Sequence, residues 1–254
     1  MNYLFASLAT LIGLLIGSFL NCLIWRLYKN ETITGRSYCP KCLKMISWYD
    51  NIPLFSFAFL GGRCRHCRKK ISWQYPSVEF LTALLFMLVF LKNSASPDFS
   101  ILLARDWLIV SSLMIIFIYD LRWQLVPMLV VWPVTGIIFL LNLLLGVSLY
   151  SIILFGVIGA AFFLIQYIVT RKKGLGEGDI WLGLLLGVTF PTAGELALSL
   201  CLAYFLGAII GVFLLTSHKK EWKSKMALGP FLAFGAIITL IYGQKIISWY
   251  LGLF

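Results

Sequence analysis

The chain has 254 residues, 61% of them hydrophobic and only 12% charged, with a mean hydropathy of +0.93. Soluble domains run nearer half apolar and a quarter charged, so a water-soluble globular fold is excluded and a polytopic membrane protein is expected. The formal net charge of +11 would point to nucleic acid in a soluble chain. In a membrane chain a basic excess reports orientation instead, and no nucleic-acid partner is expected.

The first apolar stretch, 4–25, matches the roughly 20 residues needed to cross a bilayer. It lacks a basic leader and a small-residue cleavage site, so it reads as a span and not as a removed signal. A long polar insert follows, 26–76. Apolar runs then recur at 77–91, 101–119, 127–147, 151–170, 180–190, 195–216 and 227–243. Two are short: 77–91, which extends backwards through Pro76, and 180–190, stopped by Pro191. The expectation is an all-α polytopic membrane protein of about eight transmembrane helices, with a half-helix at 244–254 as an addition, and no internal repeat. Cys22 and Cys201 fall inside apolar runs and are expected to be small core residues.

Orientation follows from the cations. The insert, the loops 120–126, 171–174 and 217–226 together hold 18 of the 21 Lys+Arg; only Lys92, Arg105 and Lys245 lie elsewhere. With eight spans these loops share one side, which the positive-inside rule makes cytoplasmic. The insert is therefore expected in the cytoplasm and both termini outside.

The insert carries CPKC and CRHC, that is Cys39, Cys42, Cys64 and Cys67. Two Cys-x2-Cys turns separated by 21 residues match the spacing of a four-thiolate zinc site. Two disulfides are the alternative, disfavoured in a reducing cytoplasm. A closed thiolate shell leaves no position for water, so the zinc is expected to be structural and to supply folding energy that some 50 residues cannot find in a core. His66, inside the second pair, is a bystander. The aromatic stretches between and after the pairs suggest a small β-ribbon packed near the membrane surface; the alternative is that the rings only anchor at the lipid interface.

Ten acidic residues exist. Glu31 and Glu221 sit among basic loop residues, Asp98 and Glu195 near helix starts, and Asp50 in a turn. Asp106 is expected to pair with Arg105. Glu79 opens a helix, facing water or the bundle. Asp120 ends SSLMIIFIYD, and Glu177 and Asp179 lie in GLGEGDIWL. Asp120 and Asp179 both fall at the same membrane edge, where ionisable groups are functional candidates by default. Gly176 and Gly178 would let backbone approach there. Two convergent carboxylates support aspartic-protease chemistry, one ionised and one protonated. The alternative is that both are helix caps, and GxGD alone is a weak motif.

Taken together, GSFLNCLIWRL (17–27), the CPKC…WYDNIP…CRHC…ISWQYPSVEFLT insert, Asp120-x6-Pro127, GEGD (176–179) and LGPFLAFGA (228–236) resemble the bacterial type IV prepilin peptidases. The resemblance implies a GxGD-type membrane aspartic peptidase that cuts the basic leader from prepilins or pseudopilins at the cytoplasmic face. It implies Asp120 and Asp179 as the catalytic pair and Cys39, Cys42, Cys64 and Cys67 as zinc ligands. It also implies N-methylation of the new N-terminus from S-adenosylmethionine; the residues binding that donor are unassigned, with Glu79 and Asn21 as polar candidates near the insert. On this reading 1–25 is the first span, 26–76 the zinc insert and methyltransferase region, and 77–254 the peptidase core. Two positions depart from the family pattern: Trp181 stands where a Lys is usual, and Val126-Pro127-Met128 replaces Ile-Pro-Asp. Membrane lipid is the remaining expected partner. A transporter using the carboxylates as an ion path, and a non-enzymatic assembly factor, are the rival classes.

Overall fold

The computed structural model describes residues 2–171, 174–216 and 227–252. Lys172, Lys173, Lys219, Lys220, Glu221, Lys223 and Lys225, used above for orientation or charge, lie outside the described residues. Among the described residues there are nine α-helices and no strand. They group into two compact units, 1–95 and 96–254.

The first unit is α1 (Asn2–Lys29), the insert and α3 (Gln74–Asn93). α1 and α3 pack along their length, because Gly13 and Gly17 offer a small-xxx-small face on which the α3 backbone rests. Arg26, in the last turn of α1, is buried and spends its guanidinium on the Ile33, Gly35 and Arg36 carbonyls, tying the start of the insert to the helix. Within the insert lie a 3₁₀ turn (Trp48–Asn51) and α2 (Phe55–Phe59). The expected β-ribbon does not form. Only two isolated bridges occur, Tyr38 to Met45 and Arg63 to Lys70, because each Cys-x2-Cys turn bends the chain back before a ladder can extend.

The second unit runs α4 (Phe99–Trp123), α5 (Met128–Leu144), α6 (Leu149–Val169), α7 (Glu177–Thr189), α8 (Ala193–Thr216) and α9 (Gly229–Leu251). Each of the eight apolar runs thus becomes a helix: α1 and α3 to α9. Six of them, α1, α3, α4, α6, α8 and α9, are long and apolar enough to cross a membrane. α5 has 17 residues and α7 only 13, about 20 Å at 1.5 Å per residue against a hydrocarbon core near 30 Å. The half-helix expected at 244–254 is instead the uninterrupted end of α9, which no Pro or charge cluster breaks before Leu251.

α7 is the most enclosed of these short helices. It packs against α6 through Gly183 and Gly159, so closely that a methyl on either would overlap the other's carbonyl. At its far end Asn142 of α5 donates Nδ2–H to the Val188 carbonyl at 2.7 Å, and Arg105 of α4 donates to Asn142 Oδ1 at 2.9 Å. The expected Arg105–Asp106 pair is present, with Nη2 to Oδ1 at 2.8 Å. Cys22 and Cys201 are not core residues: Cys22 is half-buried and Cys201 exposed. An apolar run in a span has a lipid-facing side as well as a packed one, and hydrophobicity does not distinguish them.

Candidate active site and metal centre

The cysteine centre is built from two copies of one turn. Cys39 N–H donates to Lys44 O (3.0 Å), Leu43 N–H to Cys39 O (2.8 Å) and Ile46 N–H to Ser37 O (2.8 Å). After the second pair the same bonds recur: Cys64 N–H to Lys69 O (2.9 Å), Arg68 N–H to Cys64 O (3.0 Å) and Ile71 N–H to Gly62 O (2.8 Å). Leu43 and Arg68, at equivalent positions, both take left-handed φ, 59° and 57°. Aligned on this geometry, SYCPKCLKMISW (37–48) and GRCRHCRKKISW (62–73) share C-x2-C-x-K-x-I-S-W. The insert therefore does contain a repeat, which its variable positions hide in the sequence.

The two copies converge. All four ligand-type sulfurs, of Cys39, Cys42, Cys64 and Cys67, lie within 4.8 Å of one another, and Cys39 Sγ is 4.0 Å from Cys67 Sγ. No pair is bonded. A tetrahedral zinc with Zn–S near 2.3 Å spaces its sulfurs about 3.8 Å apart, so the cluster fits that ion. The thiols also differ electrostatically. The backbone N–H groups of Cys67 and then His66 stabilise the Cys64 thiolate against burial and bring it down to about 7. Cys42 has a favourable N–H from Lys44, but burial and its thiol neighbours Cys39 and Cys67 push it up to about 11. Four thiols at this spacing cannot all ionise by themselves; a dication removes that conflict. His66 contributes no ring nitrogen to the cluster. Asp50, expected in a turn, sits in the 3₁₀ segment and takes two hydrogen bonds from Arg65, at 2.8 and 2.6 Å, which hold its carboxyl below the usual range.

Glu79 and Asn21 have identifiable partners in the first unit. Glu79 is buried and accepts the Leu54 N–H at 2.8 Å. Asn21 donates to the Tyr75 carbonyl at 3.1 Å and accepts from Gln74 Nε2 at 3.3 Å.

In the second unit, Asp120 occupies the last turn of α4 and Asp179 the first turn of α7; both are buried. Asp120 Oδ2 accepts the Gly229 N–H at 2.7 Å, the first amide of α9. Asp179 Oδ2 reaches back to accept the Gly176 N–H at 2.9 Å, the carboxylate half of a capping box. The other oxygen of each accepts from no described donor and is not sealed from solvent. The two carboxylates lie on facing segments, since Val126, six residues after Asp120, packs on Gly178, the neighbour of Asp179.

The surrounding backbone explains this approach. A Cβ on Gly229 would stand 2.6 Å from Asp120 Oδ2, and one on Gly178 would stand 2.5 Å from Val126 Cγ2. The α4–α5 turn thus lies directly on the GEGD segment. Gly176 does not carry this constraint, since its nearest neighbour would be an ordinary 3.7 Å away. Glu177 points elsewhere, exposed and accepting from Tyr167 Oη at 2.7 Å. Trp181 packs its ring on Trp132, centroids 4.3 Å apart. Gly229 was not foreseen from sequence. It lies 109 residues from Asp120, and although it falls in the LGPFLAFGA block (228–236), nothing in that block names Asp120 as its partner.

These features define a multi-pass helical membrane protein with a four-thiol insert and two carboxylates gathered at one set of helix ends. The chain belongs to the type IV leader peptidase family: residues 107–212 match that family's model and residues 11–93 match the bacterial peptidase A24 N-terminal domain. It is 33% identical to a prepilin leader peptidase/N-methyltransferase of Pseudomonas putida, over 95% of this chain and 92% of the relative. It is 34% identical to one of Aeromonas hydrophila, over 98% and 94%. A type 4 prepilin-like proteins leader peptide-processing enzyme of Escherichia coli O78:H11 is 34% identical over 92% of each chain. No solved structure matches the chain.

Proposed function

We propose that this chain removes the basic leader from prepilins or pseudopilins, with Asp120 and Asp179 as its acid–base pair. The observation that carries the reading is the pair itself. Two buried carboxylates from different helices are each pinned through one oxygen by a backbone N–H and open at the other, in a chain of the leader peptidase family.

Two interacting carboxylates favour a state with one shared proton. The ionised member takes a proton from water as it attacks the scissile carbonyl, while the protonated member gives its proton to the carbonyl oxygen; on collapse the proton taken from water passes to the leaving amine and the diol returns one to the second carboxylate. The Gly229 and Gly176 amides keep both side chains in one orientation throughout, so little reorganisation accompanies the reaction. The cationic bias of the loops supports a cytoplasmic active site and insert. On this reading 1–25 is the first span, 26–76 the zinc insert and 77–254 the peptidase core. Cys39, Cys42, Cys64 and Cys67 would hold zinc, which supplies folding energy to the insert and takes no part in hydrolysis.

The names of the relatives support a second activity, methylation of the new N-terminal amine, with S-adenosylmethionine as donor. A cavity of about 450 Å³ in the insert, between Phe57 and Trp73, has Arg63 and Lys70 on its wall and no carboxylate. The donor's carboxylate could pair with Arg63 or Lys70 and its sulfonium could lie against the Phe57 and Trp73 rings; no methyl-transfer step is derived.

Co-expression with a prepilin, followed by intact-mass reading of the pilin, tests the peptidase. Wild type should remove the leader, and Asp120→Asn and Asp179→Asn should each slow removal by at least about 100-fold, the range of a lost acid–base group. Full cleavage by either variant would sink the assignment of the pair. An added methyl on the wild-type product would establish the second activity.

A further inference from the structure

The insert sends one arm, 48–59, away from its thiol cluster, and four large apolar side chains on it have no cover. Trp48 is 75% exposed, Ile52 42%, Phe55 61% and Phe59 86%. We propose that the apolar part of this arm, Ile52 to Phe59, is seated inside the bilayer, with the Asp50–Arg65 ion pair left at its polar edge, and that the partner of its apolar face is the acyl chains of phospholipid.

Its position along α1 is the first argument. The Asn21–Tyr75 hydrogen bond sets the start of α3 level with Asn21 of α1. Leu15 and Leu11 lie about 9 and 15 Å beyond that level, at 1.5 Å per residue. Trp48, Ile52, Pro53 and Phe55 line one cavity of about 220 Å³ with Leu11 and Leu15. The arm therefore lies alongside the spanning part of α1, on the side where Leu11 and Leu15 are themselves exposed. Its bare face continues theirs.

The second argument is backbone satisfaction. Irregular backbone is tolerated at membrane depth only where its polar groups find partners in the protein. Three amides at the opening of α2 do so: Leu54 N–H donates to the buried Glu79 carboxylate (2.8 Å), Phe55 N–H to Pro53 O (2.7 Å) and Ser56 N–H to Ile52 O (3.0 Å). The Ser56 hydroxyl is also spent on Ile52 O, at 2.7 Å. Leu54 holds a left-handed φ of 61°, which aims its amide at Glu79. A surface loop has water for these groups and does not require a carboxylate from a spanning helix. Composition agrees, for 51–62 (NIPLFSFAFLGG) contains no charged residue although the insert around it is dense in cations. The repeat adds a parallel: after its second copy the chain runs directly into the spanning helix α3, and after its first copy into this arm.

The test places p-benzoyl-phenylalanine at Phe59, and separately at Phe55 and at exposed Lys69, in the full chain reconstituted in phosphatidylethanolamine–phosphatidylglycerol vesicles. After irradiation, intact-mass and peptide spectra should show a phospholipid adduct at positions 55 and 59, at least about fivefold above that at 69. Variants are compared only where circular dichroism matches wild type, and either arm position suffices. Adducts at 55 and 59 no stronger than at 69 would overturn the proposal. So would adducts there to a second copy of the chain or to an added prepilin in place of lipid.

Discussion

A carboxylate in the last turn of a helix meets the negative end of the helix dipole, a penalty of about 0.3–1 kcal/mol when exposed. Asp120 sits in that turn of α4 and is buried there as well. It is not a cap of its own helix; its compensation comes from the first amide of α9. Asp179 is different, since its first-turn position is favourable and half-caps α7 on its own account. Sequence pattern makes both carboxylates candidates, but only the folded chain separates an Asp that its helix welcomes from one that it does not. Gly229 is the residue that makes the difference. Gly229→Ala should displace Asp120 and lower kcat for leader removal by about 10- to 100-fold, the scale of a 1 Å misplacement, with little change in KM. A single-turnover assay on a purified prepilin reads this directly. Gly176→Ala, where the added methyl meets nothing closer than 3.7 Å, should leave kcat unchanged.

At the scale of elements, α7 explains how Asp179 is carried to its place. The helix is too short to cross a bilayer as a free span. It is gripped along one side by the glycine contact with α6 and at its end by Asn142. Helix association in lipid depends on such close packing, because burial of apolar surface drives nothing there. Gly183→Ala should therefore cost at least about 1–3 kcal/mol, the range for overpacking, seen as a lower unfolding midpoint in detergent. The run 180–190 was legible as a helix from its composition and its stop at Pro191. That it would be the enclosed helix of its unit was not, because Gly156 and Gly159 of α6 and Gly183 and Gly187 of α7, which make the close contact, read in sequence as ordinary membrane-helix glycines.

For the molecule as a whole, the two units rest on different physics. The second is held by helix packing and a few buried hydrogen bonds, whereas the first contains an insert whose own core is small. Zinc bound as four thiolates should carry much of that insert's stability. Purified protein should hold one zinc per chain by elemental analysis, and Cys64→Ser or a strong chelator should remove it. Hydrogen exchange in peptides from 37–73 should then accelerate, with α4–α9 unchanged. Retained protection in 37–73 after metal loss would show that the insert folds without the ion.

Composition and periodicity determined the membrane class, the eight apolar helices and the four-cysteine framework, because each depends on residues near one another in the chain. CPKC and CRHC announce their chemistry within four residues each. The tertiary structure alone decided what depends on distant pairs: Asp120 against Gly229, Gly178 against Val126, Gly159 against Gly183 and Glu79 against Leu54. It also turned the expected β-ribbon into two equivalent knuckles and a helical arm, and moved Cys201 from the core to an exposed face. Each is a contact between segments whose separation in sequence carries no trace of their proximity. Close backbone approach is permitted by a missing side chain, and an absence reveals its partner only once the chain has folded.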